Sequence, residues 1–201
     1  MQEKAAKIIS IVFHPFLIPI LGFLALLNSE FYFSALSGDA KRFVLLVVFF
    51  TTSILPMLSV AILALNPKFD VSMQNTRDRI IPLLTSAVFY YLGFLLLNRI
   101  RIFPIFKMFL IASVLVIVVL LFITFKWKIS THMASVGGLA GTVFALSFRS
   151  GMNPLSIILG VVIISGLVGT ARLILNKHNL LQLAAGYCLG FFVLYFVIYF
   201  I

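Results

Sequence analysis

The stretch Ala171-Arg172-Leu173-Ile174-Leu175-Asn176-Lys177-His178-Asn179-Leu180-Leu181-Gln182 joins two long apolar runs of the chain. It puts an arginine, a lysine and a histidine within seven positions, so a cationic and nucleophilic cluster lies at a membrane boundary. Ionisable side chains are costly there and usually serve as anchors or as parts of a site. Because a histidine changes its charge near neutral pH, His178 is the residue that suggests chemistry.

The composition around this stretch is that of an integral membrane protein. Of the 201 residues, 63% are hydrophobic and 22 are Phe, whereas only five are acidic. A water-soluble globule of this size cannot bury so much apolar surface. Apolar runs of about 20 residues cross a bilayer as helices, which satisfy their own backbone polar groups. The single cysteine, Cys188, can form no internal disulfide.

We therefore predict an all-α fold, a polytopic membrane bundle of six or seven transmembrane helices in one domain, 1–201. The first apolar run lacks a small-residue cleavage site and is too long for a signal peptide. His14-Pro15 interrupts the first helix, Pro56 is expected to kink the second, and Asn66-Pro67 ends it. The polar stretch from Asn28 to Arg42 is interpreted as a loop. The predicted helices are about 5–27, 43–65, 80–98, 104–126, 131–148, 154–175 and 178–201.

Small residues on the last three helices predict close contacts between helices, because they let two backbones approach. The fifth helix has a stripe of such residues, the sixth has several, and the seventh has two on one face. These residues are Ala134, Gly138, Gly141 and Ala145, then Gly160, Gly166 and Gly169, and then Gly186 and Gly190.

The alternating direction of the helices predicts that three unusual segments meet at one face of the membrane. The second, fourth and sixth helices end there, so the 68–82 loop, the 126–132 turn and the 172–178 turn share that face. The next helices begin there, and their free N–H groups and positive dipole ends favour an anion. Arginine offers phosphate oxygens a planar fork of donors. The candidate phosphate ligands are Arg77, Arg79, Lys128, His132, Arg172, Lys177 and His178.

Several of these residues also have a purely structural interpretation. His14 fits a hydrogen-bonded histidine beside a proline kink better than a catalytic residue. Arg77 and Arg79 can pair with Asp78 and with lipid headgroups, and Lys126-Trp127-Lys128 is typical of a membrane-interface anchor. Ser130 is a candidate N-cap of the fifth helix.

Three motifs on this face can be compared with a known family. Arg172 and His178 lie within Ala-Arg-x5-His-x3-Gln, Ser130-Thr131-His132 precedes it, and Arg77-Asp78-Arg79-Ile80-Ile81-Pro82 comes first. They resemble, in turn, the third motif (Ser-Arg-x5-His-x3-Asp), the second (Pro-Ser-Gly-His) and a degraded first motif (Lys-x6-Arg-Pro) of the type-2 phosphatidic acid phosphatase (PAP2) superfamily. The resemblance spans about residues 68–190.

The resemblance implies a PAP2-like core and a phosphatase that works through a phosphohistidine, without a metal or any other cofactor. His178 would attack phosphorus, and His132 would protonate the departing lipid oxygen. Five acidic residues are too few for a two-metal centre. The implied substrate contacts are Arg172, Arg79, Arg77, Lys128, Lys177, Ser130 and Thr131.

The chain departs from the family pattern at several positions. Gln182 stands where the family has the Asp that orients the nucleophile, so it would accept a hydrogen bond without bringing a charge. Losing a carboxylate behind a catalytic histidine is costly in other enzymes. A phosphatase is still predicted, and Gln182 leaves weak or lost activity open unless Asp70 or Asp78 reaches His178. Ala171 replaces a serine, and no lysine precedes Arg77 or Arg79 by seven positions.

Two functional classes stay open. The first is a membrane lipid-phosphate phosphatase, acting on a phosphatidic-acid-like or polyprenyl (di)phosphate headgroup that enters from the bilayer. The second is a noncatalytic anionic-lipid-binding or scaffold protein with a degenerate phosphate pocket. A transporter is disfavoured because polar residues lie near the helix ends rather than at mid-membrane. Nucleic acid is not an expected partner, and the oligomeric state stays open.

The positive residues are nearly balanced between the two membrane faces, so they leave the orientation open. The resemblance implies a bacterial inner membrane with the site facing the periplasm. The site face carries Lys4, Lys7, Lys68, Lys126, Lys128 and Lys177 besides its arginines, and the other face carries Lys41, Arg42, Arg99, Arg101, Lys107 and Arg149.

Overall fold

The computed structural model describes residues 2–28, 36–67, 69–70, 73 and 75–201. Within these ranges the chain forms helices and no strand, which confirms the predicted all-α class. A short 3-10 turn, Arg77–Arg79, leads into the helix that begins at Ile80. The helices are α1 Gln2–Val12, α2 Ile18–Leu27, α3 Gly38–Leu63, α4 Ile80–Asn98, α5 Pro104–Thr124, α6 Thr131–Ser150, α7 Leu155–Ile174 and α8 Leu180–Tyr199.

Five of the described helices are long and apolar enough to cross a membrane, namely α3, α4, α5, α7 and α8. They indicate an integral membrane protein, but their number is smaller than the six or seven predicted. The first predicted span is divided into two short helices, α1 and α2. The 20-residue α6 is rich in Gly, Ser and Thr, and 13 of its residues are buried among the other helices.

The second predicted helix begins earlier than expected. Ser37 caps α3 by accepting a hydrogen bond from the N–H of Ala40 at 3.3 Å, so Gly38 to Arg42 are helical rather than part of a loop. Residues 29–35 of the predicted loop lie outside the described residues. A π-helical segment, Phe49–Ile54, lies just before Pro56, and helices bend at both kinds of feature.

α6 and α8 pack backbone against backbone. A Cβ atom on Gly190 would collide with the carbonyl group of Ala134, and one on Gly137 would collide with that of Tyr187. This contact confirms the close packing predicted from the small residues of these two helices.

Two glycines of α7 make no close contact within the described part of the chain. A Cβ atom on Gly160 or Gly166 would have no described neighbour within 4 Å. α7 packs against α1 and α6 through a different face, on which Val161, Val168 and Ala171 are buried.

The predicted meeting of distant segments at one end of the bundle is confirmed. The side chain of Arg79 donates from Nη1 to the carbonyl oxygen of Ile129 at 3.0 Å, which joins the start of α4 to the turn before α6. The N–H of Ser130 donates to the carbonyl oxygen of Gln182 at 3.3 Å, which joins that turn to the first turn of α8.

Candidate functional site

A cavity of about 650 Å³ lies among the helices and reaches this end of the bundle. Its lining there is cationic, while deeper in the bundle it is mostly apolar, with side chains such as Leu83, Val116 and Leu120. Most ligand cavities in proteins have volumes of about 300–1,000 Å³, so this one can hold a small molecule or part of a lipid. The predicted site residues that line it are Arg79, Thr131, His132, Arg172 and Lys177.

The two arginines at the cavity differ in how they are held. Arg79 is 7% exposed, and its Nη1 is fixed by the carbonyl oxygen of Ile129. Arg172, in the last turn of α7, has a buried Nε that finds no hydrogen-bond partner among the described residues. A buried donor without a partner is unusual in a native protein, and this one is part of a charged group beside a cavity.

His178 lies in the turn between α7 and α8 and is held by Gln182. The His178 Nδ1 and the Gln182 Oε1 are 3.0 Å apart. The N–H of Asn179 also donates to that Oε1 at 3.3 Å, while the N–H of Gln182 donates to Asn179 Oδ1 at 2.9 Å, forming a capping box at the start of α8. The helix therefore begins at Leu180, two residues later than predicted, because Asn179 caps it.

These bonds determine the tautomer of His178. A backbone N–H can only donate, so the Gln182 atom facing Asn179 must be the oxygen. The same oxygen must then accept from His178, which puts the proton of the neutral imidazole on Nδ1. Nε2 consequently carries the lone pair, and it is buried without a hydrogen-bond partner in the described part of the chain. Gln182, rather than Asp70 or Asp78, is the Nδ1 partner of His178.

Burial and neighbouring cations keep the His178 ring neutral. Desolvation by burial lowers its pKa to about 4. The hydrogen bond that His178 donates to Gln182 opposes this shift, and the positive charges of Arg79, Arg172 and Lys128 add to it. The pKa of the Lys128 ammonium is also lowered, chiefly by burial and then by Arg79, Lys177 and Arg172. Arg79, Arg172 and Lys128 therefore act on His178, and Lys177 acts on Lys128.

We expect a titration to show this neutral state directly. Imidazole nitrogen resonances of His178 should report an Nδ1–H tautomer with a midpoint near pH 4, because burial and the cations both disfavour the imidazolium. Lys128→Met should raise that midpoint, since it removes one of the charges. Loss of the resonances in His178→Gln assigns them, and a midpoint near the ordinary value of about 6.5 would contradict the arrangement.

His132 approaches the cavity from the first turn of α6. It is buried, and its Nε2 lies 3.2 Å from the carbonyl oxygen of Ser10, an acceptor that requires a proton on Nε2. Ser130 caps this helix by accepting from the N–H of Met133 at 3.3 Å, as predicted. Its hydroxyl is thereby engaged, and Thr131 is the neighbour that lines the cavity.

Five predicted site residues lie outside the cavity lining: Arg77, Lys128, Ser130, His178 and Gln182. Arg77 is exposed, and Ser130 is fully buried in its cap. His178 is buried next to the cationic cluster but does not itself line the cavity. An anion bound in the cavity would therefore have to pass the side chains that cover His178 before it reached Nε2.

Sequence reasoning missed the contribution of the segment between α1 and α2. Ser10, His14 and Phe16 line the cavity, and the rings of His14 and His132 are 5.4 Å apart between centroids. The available signal was the spacing of Ser10 and His14, which are four residues apart and would share one face of the helix predicted over about 5–27.

No protein-family model, curated protein or solved structure matches the chain. Among the residues that the structure describes, no three His, Cys, Asp or Glu side chains are grouped as metal ligands would be.

Proposed function

We propose that this protein is a membrane lipid-phosphate phosphatase of the PAP2 type, which hydrolyses a phosphomonoester or diphosphate headgroup through a phosphohistidine. The observation that carries the proposal is the pair of buried nitrogens, Arg172 Nε and His178 Nε2, which lack partners among the described residues next to a cationic cavity. A phosphate group supplies acceptors for the arginine and an electrophilic phosphorus for the lone pair of Nε2.

The lining of the cavity supports an amphiphilic substrate. Arg79, Arg172 and Lys177 offer positive charge at one end, and the remaining walls are mostly apolar. A headgroup with at least two negative charges suits the first part, and a hydrocarbon chain from the bilayer suits the second.

The proposed reaction has two displacements. In the first, the lone pair of His178 Nε2 forms a bond to phosphorus and the bond from phosphorus to the lipid oxygen breaks. His132, made an imidazolium by the bound phosphate, gives that oxygen its Nδ1 proton, while its Nε2–H stays bonded to the Ser10 carbonyl oxygen. In the second, water attacks phosphorus, the P–N bond breaks, and His132 takes the proton of the water. Arg79 and Arg172 stabilise the equatorial oxygens, which is where most of the acceleration is expected to arise.

Phosphate release by the purified protein in lipid nanodiscs tests the proposal, with diacylglycerol phosphate and polyprenyl mono- and diphosphates as probes. We expect at least one of these probes to be hydrolysed, at a rate that a metal chelator does not change. We further propose a bacterial inner membrane with the site facing the periplasm, which an impermeant substrate added to sealed, right-side-out vesicles would test.

We expect Gln182→Glu to raise kcat by about tenfold, which corresponds to 1.4 kcal/mol of transition-state stabilisation. Glutamate keeps the length of glutamine and its bonds to His178 and Asn179, and its charge stabilises the positive imidazole that forms when Nε2 bonds to phosphorus. Gln182→Asp, one methylene shorter, is the matched variant and should gain less. Equal or slower turnover in Gln182→Glu would contradict the assigned orienting role.

One observation favours a second candidate, an anionic-lipid-binding protein without turnover. The His178 ring is covered and does not line the cavity, and its orienting partner, Gln182, is neutral. This candidate predicts saturable binding of a lipid phosphate, weakened by Arg172→Gln, together with no phosphate release by the unmodified protein.

A further inference from the structure

The break between α1 and α2 brings polar groups to the cavity on the side of His132. α1 stops at Val12 because Pro15 cannot continue a helix. The hydroxyl of Ser53, in the π-helical segment of α3, donates to the carbonyl oxygen of Phe16 at 2.7 Å. The break is therefore held in place by a contact 37 residues away in sequence.

The hydrogen bonds at this break define what His14 presents. The N–H of Phe16 donates to His14 Nδ1 at 3.3 Å, so a neutral His14 carries its proton on Nε2. His14 lines the cavity, and Nε2 is the ring nitrogen that the bond from Phe16 leaves free to donate.

Ser10 presents a second polar group to the same region. Its carbonyl oxygen accepts from His132, but its hydroxyl is buried and has no partner among the residues described. The residue is only 8% exposed and lines the cavity. A buried hydroxyl normally finds a partner, so a polar group of a ligand is the fitting complement.

Ser10 and His14 are suited to a neutral, hydrogen-bonding group next to the phosphate. The hydroxyl of Ser10 can both donate and accept, whereas the free nitrogen of His14 donates. An ester carbonyl or a free hydroxyl satisfies them, whereas the methylene or prenyl carbons of a simple alcohol leave both unpaired. Sites built to hydrogen-bond a substrate group discriminate strongly against analogues that lack it.

We propose that Ser10 and His14 form a subsite for the alcohol part of the substrate, and that this subsite selects glycerol-based lipid phosphates over alkyl or prenyl phosphates. The inference rests on the proposed function in one respect. If His132 protonates the leaving oxygen, the alcohol part of the substrate lies on the same side of the phosphate as His132, next to Ser10 and His14. The subsite thus distinguishes between the two substrate classes that the sequence left open.

Two single-chain probes of equal tail length test the subsite: lauroyl lysophosphatidate, which carries an ester and a free hydroxyl, and dodecyl phosphate, which carries neither. The unmodified protein should show a kcat/KM ratio of about tenfold or more in favour of the glycerol compound. Ser10→Ala and His14→Phe should each move that ratio towards one. The control is Ser165→Ala, which should leave the ratio unchanged. The Ser165 hydroxyl donates to the Val161 carbonyl oxygen within α7 and does not line the cavity.

Binding of the two corresponding phosphonates, which cannot be hydrolysed, separates failure of this inference from failure of the proposed function. A binding preference for the glycerol phosphonate without turnover of either phosphate would leave the subsite standing and overturn the phosphatase. Turnover of both phosphates at equal efficiency would overturn the subsite alone. The subsite would also be overturned if folded Ser10→Ala and His14→Phe proteins kept the preference for the glycerol compound. It would likewise be overturned if the protein preferred a prenyl diphosphate to the glycerol compound and lost that preference in His14→Phe.

Discussion

Replacing His178 with alanine is expected to lower kcat for lipid-phosphate hydrolysis by about a thousandfold or more, because the nucleophile is removed. No other described histidine has its Nε2 lone pair oriented by an amide acceptor in this way, since His132 uses its Nε2 to donate to Ser10. Phosphate release in nanodiscs measures the effect. The phosphohistidine itself is measured by rapid quenching after addition of a substrate with a radioactive phosphate: the protein should carry a label that acid removes. This label should be absent from His178→Ala.

Leu180→Ala is the matched control for that experiment. Leu180 is 71% exposed, lies two residues further along the chain and takes no part in the proposed site. Its turnover and its labelling should equal those of the unmodified protein. Equal turnover in His178→Ala would exclude the phosphohistidine route, whereas turnover with labelling on another residue would assign the nucleophile elsewhere.

Gly190→Ala is expected to lower the melting temperature in detergent by about 10 °C, on the scale of a few kcal/mol for a chain of this size. The new methyl group would collide with the carbonyl group of Ala134, which belongs to the backbone of α6 and cannot rotate away. α6 and α8 must then separate. Because Thr131 and His132 stand on α6 and Gln182 on α8, binding of a lipid phosphate should weaken as well.

Gly166→Ala is the control, because a Cβ atom at Gly166 has open space around it. Alanine also has the higher helix propensity, by up to about 1 kcal/mol, so this variant should be at least as stable as the unmodified protein. The melting temperatures of the two variants are compared by heating samples in detergent and measuring the remaining folded fraction by size-exclusion chromatography. A Gly190→Ala protein as stable as Gly166→Ala would refute the backbone contact between α6 and α8.

Local signals were sufficient for the parts of the fold that depend on neighbouring residues. α4 runs from Ile80 to Asn98 as predicted, and α6 begins at Thr131 after its Ser130 cap. The meeting of Arg79, His132 and Arg172 followed from alternating helix direction alone. Proline, capping residues and run length act within a few positions, so the sequence displays them directly.

The parts that sequence reasoning missed depend on contacts between distant residues. The interruption of the first span at His14-Pro15 was predicted from the proline and is confirmed, but nothing near His14 reveals the bond by which Ser53 holds Phe16. Gly160 and Gly166 have the same composition signal as Gly190, yet only the partner helix decides whether a small residue is used. The capping box of Asn179 and Gln182 is local, but the expected orienting role of Gln182 obscured it.

The joint between α6 and α8 has a mechanical consequence for how this protein can change. Ser130, two residues before His132, bonds main chain to main chain with Gln182, the residue that holds His178. The main-chain segments that carry the two imidazoles are thus held together by a bond between peptide groups, which substitutions of side chains do not remove. A bulkier headgroup would have to be accommodated by the arginine-bearing ends of α4 and α7 or by the Ser10–His14 segment, so diversification of specificity is expected there.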